Sequence, residues 1–263
     1  EITVPMIVSG YGHTLALRAD GTVWAWGDNT YGQLGDGTYG TSNVDKFVPR
    51  QVRIGQNESN TKLLTNIKYV AAGANSSAAI DQDGLLYVWG NNDNGQLGVD
   101  GKIVAYPTLV EALKDNPATP NADETILVSA VELSESHTII IDALTKRAYT
   151  WGKNDHNQLG YQQSILNNGK PMTSPSTENY AKEAHLVTRD KGDLNFLEVA
   201  SGKNHSVGIV IPASEAETAT QGTVYAWGDN TYGQLGQNTS GSSSAVLQAV
   251  KKSNGESITN AVA

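Results

Sequence analysis

Cysteine is absent from the 263 residues, which removes disulfides, thiolate nucleophiles and thiolate metal ligands together. Cations are also scarce. Lys and Arg number 18 against 27 Asp and Glu, a formal net charge of −9, and they are scattered singly or in pairs such as Lys251 and Lys252. A surface that neutralises phosphates needs clustered cations, so this balance weighs against nucleic acid and against an anionic membrane as partners. No apolar run approaches the roughly 18 residues of a membrane-spanning helix, and the opening EITVPMIVSGYG lacks the basic start and apolar centre of a signal peptide. An acidic, cysteine-free chain fits an exported protein, so an extracellular or cell-surface location is the expectation.

No convincing amphipathic helix is present either. What fills the chain is repetition. The phrase WGDNTYGQLG at residues 26–35 returns letter for letter at 227–236, with weaker copies WGNNDNGQLG at 89–98 and WGKNDHNQLG at 151–160. The tryptophans Trp26, Trp89, Trp151 and Trp227 are 63, 62 and 76 residues apart. A second column holds Asn29, Asn92, Asn154 and Asn230, and a third holds Gln33, Gln96, Gln158 and Gln234. A phrase that occurs once per unit reads as repeat scaffolding, with Trp between sheets and Asn and Gln tying the loop to backbone. The units fall at about 1–62, 63–125, 126–194 and 195–263.

One unit shows the local structure. IKYVAA at 67–72 is a β-rich run, SAAI at 77–80 a second, and LLYVW at 85–89 a third, the last two joined by the hairpin signal DQDG. A proline-led run, PTLV at 107–110, supplies a fourth; its counterpart in the first unit is 49–54. In the third unit, ALTKR at 143–147 stands where a glycine turn is expected. Four short strands per unit, apolar on both faces, predict an all-β propeller of four-stranded blades.

Candidate chemistry is thin. His13, His137 and His205 share a column with Ser76, which argues for a hydrogen bond to backbone within each blade and against a metal site. His156 and His185 are isolated. Neither Asp81 with Asp83 nor the NNDNG at 91–95 completes a calcium loop, and GDGTYG at 35–40 lacks the Lys-Ser/Thr of a phosphate cradle. The Asn-x-Ser/Thr sites at Asn57, Asn75, Asn204 and Asn238 are explained by composition and by the repeat. No catalytic set, metal or cofactor is nominated. Binding is expected on variable loops at 36–65, 99–124, 161–193 and 211–221. Within the phrase, Tyr31 and Tyr232 give way to Asn94 and Asn157 in the other units, which makes these two tyrosines the candidate contact residues.

VSGYGHTLALRADGTVWAWGDNTYGQLGDGT at 8–38, echoed by VAAGANSSAAIDQDGLLYVWGNNDNGQLG at 70–98, resembles the repeat of the regulator of chromosome condensation (RCC1) family. The resemblance covers nearly the whole chain outside inserts at 114–124, 162–193 and 211–221. It implies a β-propeller whose rings usually have seven blades, of which four units are present here. Either the chain is part of a longer one, or four units close or pair as they stand. SITNAVA at 257–263 matches the start of a fifth inner strand, as NIKYVAAG does at 66–73. The expected function is a non-catalytic protein-binding or assembly scaffold, secreted or at the cell surface and of bacterial type. The alternatives are guanine nucleotide exchange on a small GTPase, the activity the resemblance implies, and self-association through the chain ends.

Overall fold

The computed structural model describes residues 3–40, 47–55, 62–113, 125–160, 166–167, 170–171, 180–189, 192–215 and 218–263. Four antiparallel sheets of four strands follow one another along the chain. Blade 1 is built from Met6–Ser9, His13–Leu17, Val23–Gly27 and Arg50–Gln51, and blade 2 from Ile67–Ala72, Ser76–Asp81, Leu86–Asn91 and Ile103–Leu109. Val128–Leu133, His137–Asp142, Ala148–Lys153 and Tyr180–Leu186 form blade 3; Asn195–Ser201, His205–Ile211, Thr223–Gly228 and Ser244–Ala249 form blade 4. The first strands of successive blades lie alongside one another, which places them innermost. Propeller blades are the result, as the repeat predicts.

Strand length follows from the apolar runs, and strand ends follow from a few backbone positions. Gly27 has φ of 106°, and its counterparts Gly90, Gly152 and Gly228 lie between 100° and 106°. A side chain at Gly27 would place Cβ 2.3 Å from the carbonyl oxygen of Gly12, so the step after each tryptophan excludes every larger residue. In the third unit, where the sequence offers no glycine, Lys146 adopts φ of 59° and turns the chain.

Adjacent blades share cores. Leu15, Leu17, Val23, Val70, Val88, Trp89, Val131 and Trp151 belong to one buried cluster spanning blades 1 to 3. A second joins blades 3 and 4 through Ile139, Phe196, Val199 and Trp227, with Phe196 and Trp227 in edge-to-face contact at 6.2 Å. Each boundary also carries one backbone bond from the start of an inner strand to the preceding hairpin: Ile67 N to Gly21 O, 3.1 Å; Val128 N to Gly84 O, 2.8 Å; Phe196 N to Lys146 O, 2.7 Å. Ala261 N makes the same bond to Gly222 O at 3.0 Å, and Asn260 takes the positive φ, 56°, that Asn66 takes at 65°. The end of the chain therefore occupies the position that leads into an inner strand at the other boundaries.

The outer strands differ from expectation. In blade 2 the fourth strand starts at Ile103, because Pro107 sits inside a bulge between Val104 and Thr108 where its missing N–H is not needed. The run at 49–54 divides in two: Arg50–Gln51 pairs with the third strand, while Arg53–Ile54 turns away to pair with Lys62–Leu63. The stretch 162–193 is not wholly an insert, since Tyr180–Leu186 within it is the outer strand of blade 3. The insert at 114–124 and the sequon at Asn57 lie outside the described residues.

Candidate functional site

The repeated loop is held by its own side chains. Asn29, fully buried, accepts a hydrogen bond from Leu34 N at 3.0 Å on Oδ1 and donates from Nδ2 to Thr38 O at 2.9 Å. Asn92, Asn154 and Asn230 accept from Leu97, Leu159 and Leu235 N in the same way. Gln33 accepts from Tyr31 N at 2.8 Å and donates to the Asp28 carboxylate at 2.9 Å. Gln96, Gln158 and Gln234 accept from Asn94, His156 and Tyr232 N. Asp28, drawn down in pKa by hydrogen bonds from Thr30 and Gln33 that outweigh its partial desolvation, stays ionised in this loop.

This pattern corrects one column. The residue whose N–H meets the glutamine side chain is Tyr31, Asn94, His156 or Tyr232, so His156 is the third-unit counterpart of the tyrosines. Asn157 stands in the next column with Gly32, Gly95 and Gly233; it shares their positive φ, at 61°, because asparagine tolerates that conformation.

The loops also clasp successive blades. The Gln33 carbonyl accepts from Ser77 Oγ at 2.8 Å and from the Trp89 indole at 2.9 Å, both on blade 2; the Gln158 carbonyl accepts from Ser206 Oγ at 3.1 Å and from Trp227 at 2.9 Å, both on blade 4. At the middle boundary Thr138 Oγ1 takes the Gln96 carbonyl at 2.5 Å, and the Trp151 indole N–H has no partner among the described residues. The histidine column joins the same clasp. His13 Nε2 meets Ser77 Oγ at 2.9 Å and His137 Nε2 meets Ser206 Oγ at 2.9 Å, so the bond crosses to the next blade's hydroxyl and does not stay within the blade as the sequence suggested. Burial pushes the His13 pKa down to about 4 and that of His137 to about 3, which leaves both rings neutral near pH 7.

Trp26 is half-buried, whereas Trp89, Trp151 and Trp227 are almost fully enclosed. Tyr31 is half-buried in a loop covered by blade 2, where Gly37 N donates to Ala105 O at 3.0 Å. Tyr232, in the same place on blade 4, is 90% exposed.

Antiparallel order puts the first turn and the long third-to-fourth connection of every blade on one face of the propeller. That face displays Tyr11, Tyr39 and Tyr232 in the open, with a Glu135 to Lys203 ion pair at 3.0 Å in the first-turn positions of blades 3 and 4. Sequence reasoning passed over Tyr11 and Tyr39; their signal was that tyrosine appears in blade 1 where the other blades carry small or charged residues, such as Ala74, Glu135 and Lys203 opposite Tyr11. The Asp81 carboxylate accepts from Asp83 N and Leu85 N and so closes the turn. Among the described residues no group of three or more His, Asp or Glu side chains could hold a metal ion.

The chain is 26% identical over 237 residues to protein pim1 of Schizosaccharomyces pombe, covering 88% of this chain and 38% of that protein. It is 27% identical over 233 residues to the guanine nucleotide exchange factor SRM1 of Saccharomyces cerevisiae, covering 87% and 42%. To the ultraviolet-B receptor UVR8 of Arabidopsis thaliana it is 27% identical over 238 residues, covering 89% and 43%. The chain thus spans about two fifths of the length of these curated relatives. Among solved structures, yeast RCC1 (Prp20) bound to Kap60 superposes with a TM-score of 0.69 at 22% identity, over 95% of this chain and 49% of that one. Human WBSCR16 gives a TM-score of 0.64 at 19% identity, over 93% and 51%. The Regulator of chromosome condensation (RCC1) repeat matches residues 20–80, 83–141, 147–209 and 221–260, each match running from the third strand of one blade towards or into the second strand position of the next. With most of its length matched by four copies of that repeat, the chain belongs to the RCC1 repeat family.

Proposed function

We propose that this chain is a non-catalytic protein-binding scaffold that engages its partner through the face carrying Tyr11, Tyr39 and Tyr232. The observation behind this reading is the exposure of three tyrosines, two of them at 90% or more, on one face of a rigid repeat array. Tyrosine offers a large amphipathic contact area at little conformational cost and is enriched at protein interfaces. The Asn and Gln clamps beneath fix the loop backbone before any partner arrives, which lowers the ordering cost of binding. On composition, the setting of that interaction is extracellular or at the cell surface.

A combined Tyr11→Ala, Tyr39→Ala and Tyr232→Ala variant tests the reading. It is expected to keep the wild-type melting temperature and to lose captured protein partners; unchanged capture would exclude this face. Guanine nucleotide exchange is the second reading, favoured by the 27% identity to SRM1. Nucleotide release from purified small GTPases is its assay, and no acceleration with any of them removes it.

A further inference from the structure

Two Asn-Gly pairs lie among the described residues: Asn94-Gly95 in the repeated loop of blade 2, and Asn254-Gly255 in the hairpin that follows the outer strand of blade 4. A third pair, Asn168-Gly169, lies outside them. The dipeptide has a chemistry of its own, because glycine carries no side chain to keep its backbone nitrogen away from the asparagine amide carbon. Whether that nitrogen attacks depends on how firmly the fold holds the two residues, and the two pairs are held very differently.

Asn94 belongs to the clamp. Its N–H donates to Gln96 Oε1 at 2.9 Å, Gly95 N donates to Asn92 O at 3.1 Å, and Gly95 and Gln96 are buried. The hairpin at 252–256 is open: all of its residues are exposed, and a Cβ on Gly255 would meet nothing within 4 Å. Gly255 N donates to Lys252 O at 2.9 Å on the rim of this turn, a solvent-facing bond of the kind that opens most readily. The Asn254 side chain folds back over the turn, where its Oδ1 accepts from Glu256 N at 3.1 Å. Negative charge develops on that oxygen when Cγ is attacked, and the Glu256 N–H is already in place to receive it. Exposure is a property of this hairpin and not of its place in the chain. Between blades 1 and 2 the counterpart is identified by matching bonds, Arg53 N to Gly35 O beside Lys251 N to Gly236 O, and Leu64 N to Val52 O beside Ile258 N to Val250 O. That interior stretch is open in the same way, with Arg53, Gly55, Lys62 and Leu63 exposed.

We propose that Asn254 is a self-modifying site, at which the folded chain converts its own asparagine amide to a carboxylate. Gly255 N gives up its proton to solvent base and bonds to Asn254 Cγ; the Cγ–Nδ2 bond breaks, ammonia leaves, and a cyclic imide results. Water then opens the imide. Attack at Cγ gives aspartate, and attack at the backbone carbonyl gives isoaspartate, with the main chain running through the former side chain. In either case water is taken up and ammonia released, and nothing is oxidised or reduced. The new carboxylate adds a negative charge beside the Lys252 to Glu256 ion pair at 3.5 Å. Antiparallel order puts this hairpin on the face opposite the exposed tyrosines, so the modification leaves the tyrosine face as it is.

The test is peptide mapping by mass spectrometry after incubating the folded 263-residue chain at mildly alkaline pH in heavy-oxygen water. Asn254 is expected to take up solvent oxygen progressively and to give two separable products, aspartate and isoaspartate. Its rate should exceed that of Asn94 by about tenfold or more, because Gly95 is released only when the clamp opens. In urea, with both loops unfolded, the two rates should converge. An Asn254 that stays intact in the folded chain while it converts in urea would overturn the proposal, and so would an Asn94 that keeps pace with it in the folded chain. Aspartate without isoaspartate would overturn it too, since direct hydrolysis of the amide passes through no imide. The combined tyrosine variant should convert at the wild-type rate, so this inference and the scaffold reading fail separately.

Discussion

Ser206→Ala should destabilise the chain far more than Thr14→Ala, although the two residues occupy the same position in blades 4 and 1. Ser206 is fully buried; its hydroxyl donates to the Gln158 carbonyl at 3.1 Å and accepts from His137 Nε2 at 2.9 Å. The same neutral tautomer of His137 takes a hydrogen bond from Ser134 Oγ on Nδ1 at 2.6 Å, so the imidazole cannot turn away without losing a second partner. Alanine leaves a buried imidazole N–H unpaired and removes one of the two donors to Gln158. At about 1–3 kcal/mol for a buried polar group left without its partner, plus the lost bond itself, the cost is roughly 2–4 kcal/mol. For a chain of this size that corresponds to a fall in Tm of roughly 5–15 °C. Thr14 is half-buried in the 263-residue chain, and its truncation there should stay within about 0.5 kcal/mol. Both variants are to be compared by thermal and urea unfolding. Equal losses in the two would refute the reasoning that the blade boundary, and not the residue type, sets the energy.

Asn29→Ala removes the side chain that ties Leu34 N to Thr38 O, so a loss of about 2–3 kcal/mol in urea unfolding is expected, with partner capture retained once the variant is folded. Glu132, half-buried and near Glu198, has its pKa pushed up to about 7 by desolvation first and by the neighbouring carboxylate second. The folded state therefore holds this proton more tightly than the unfolded one: stability is greatest below about pH 4.5 on this account, declines as pH rises towards 7 by up to about 3 kcal/mol, and is then level. Glu132→Gln should remove that decline in a pH series of melting temperatures, and an unaltered profile would exclude Glu132 as its source. Gly37→Ala should cost about 2 kcal/mol or more, because its φ of 83° is strained for alanine and the added methyl meets Tyr106, whereas Gly55→Ala, at φ 97° in open space, carries the backbone strain alone.

How far the sequence revealed this structure depends on the range of the interactions. The loop is legible because it is local: Asn29 reaches five residues on to Leu34 and nine to Thr38, so the letters that fix it recur together. The tryptophan column is legible because Trp89, Trp151 and Trp227 each lie in a packed boundary where little else fits. The outer strands are not, since each pairs along one side only and its residues vary freely; Tyr180–Leu186 hid inside an apparent insert for that reason. The histidine contacts were missed because Ser77 is 64 residues from His13, a separation that no repeat pattern marks as a contact. His156 and Asn157 were confused because identity of letters was followed where backbone conformation decides the column.

The clasp between blades has a direction: a carbonyl is always offered forward and an indole or hydroxyl always returned from the unit that follows. An array built this way can be lengthened or shortened by whole units with no new kind of contact, because each of the three joins brings a hydroxyl of the following blade to the carbonyl of the repeat glutamine. Its stability then grows by one boundary for each unit added.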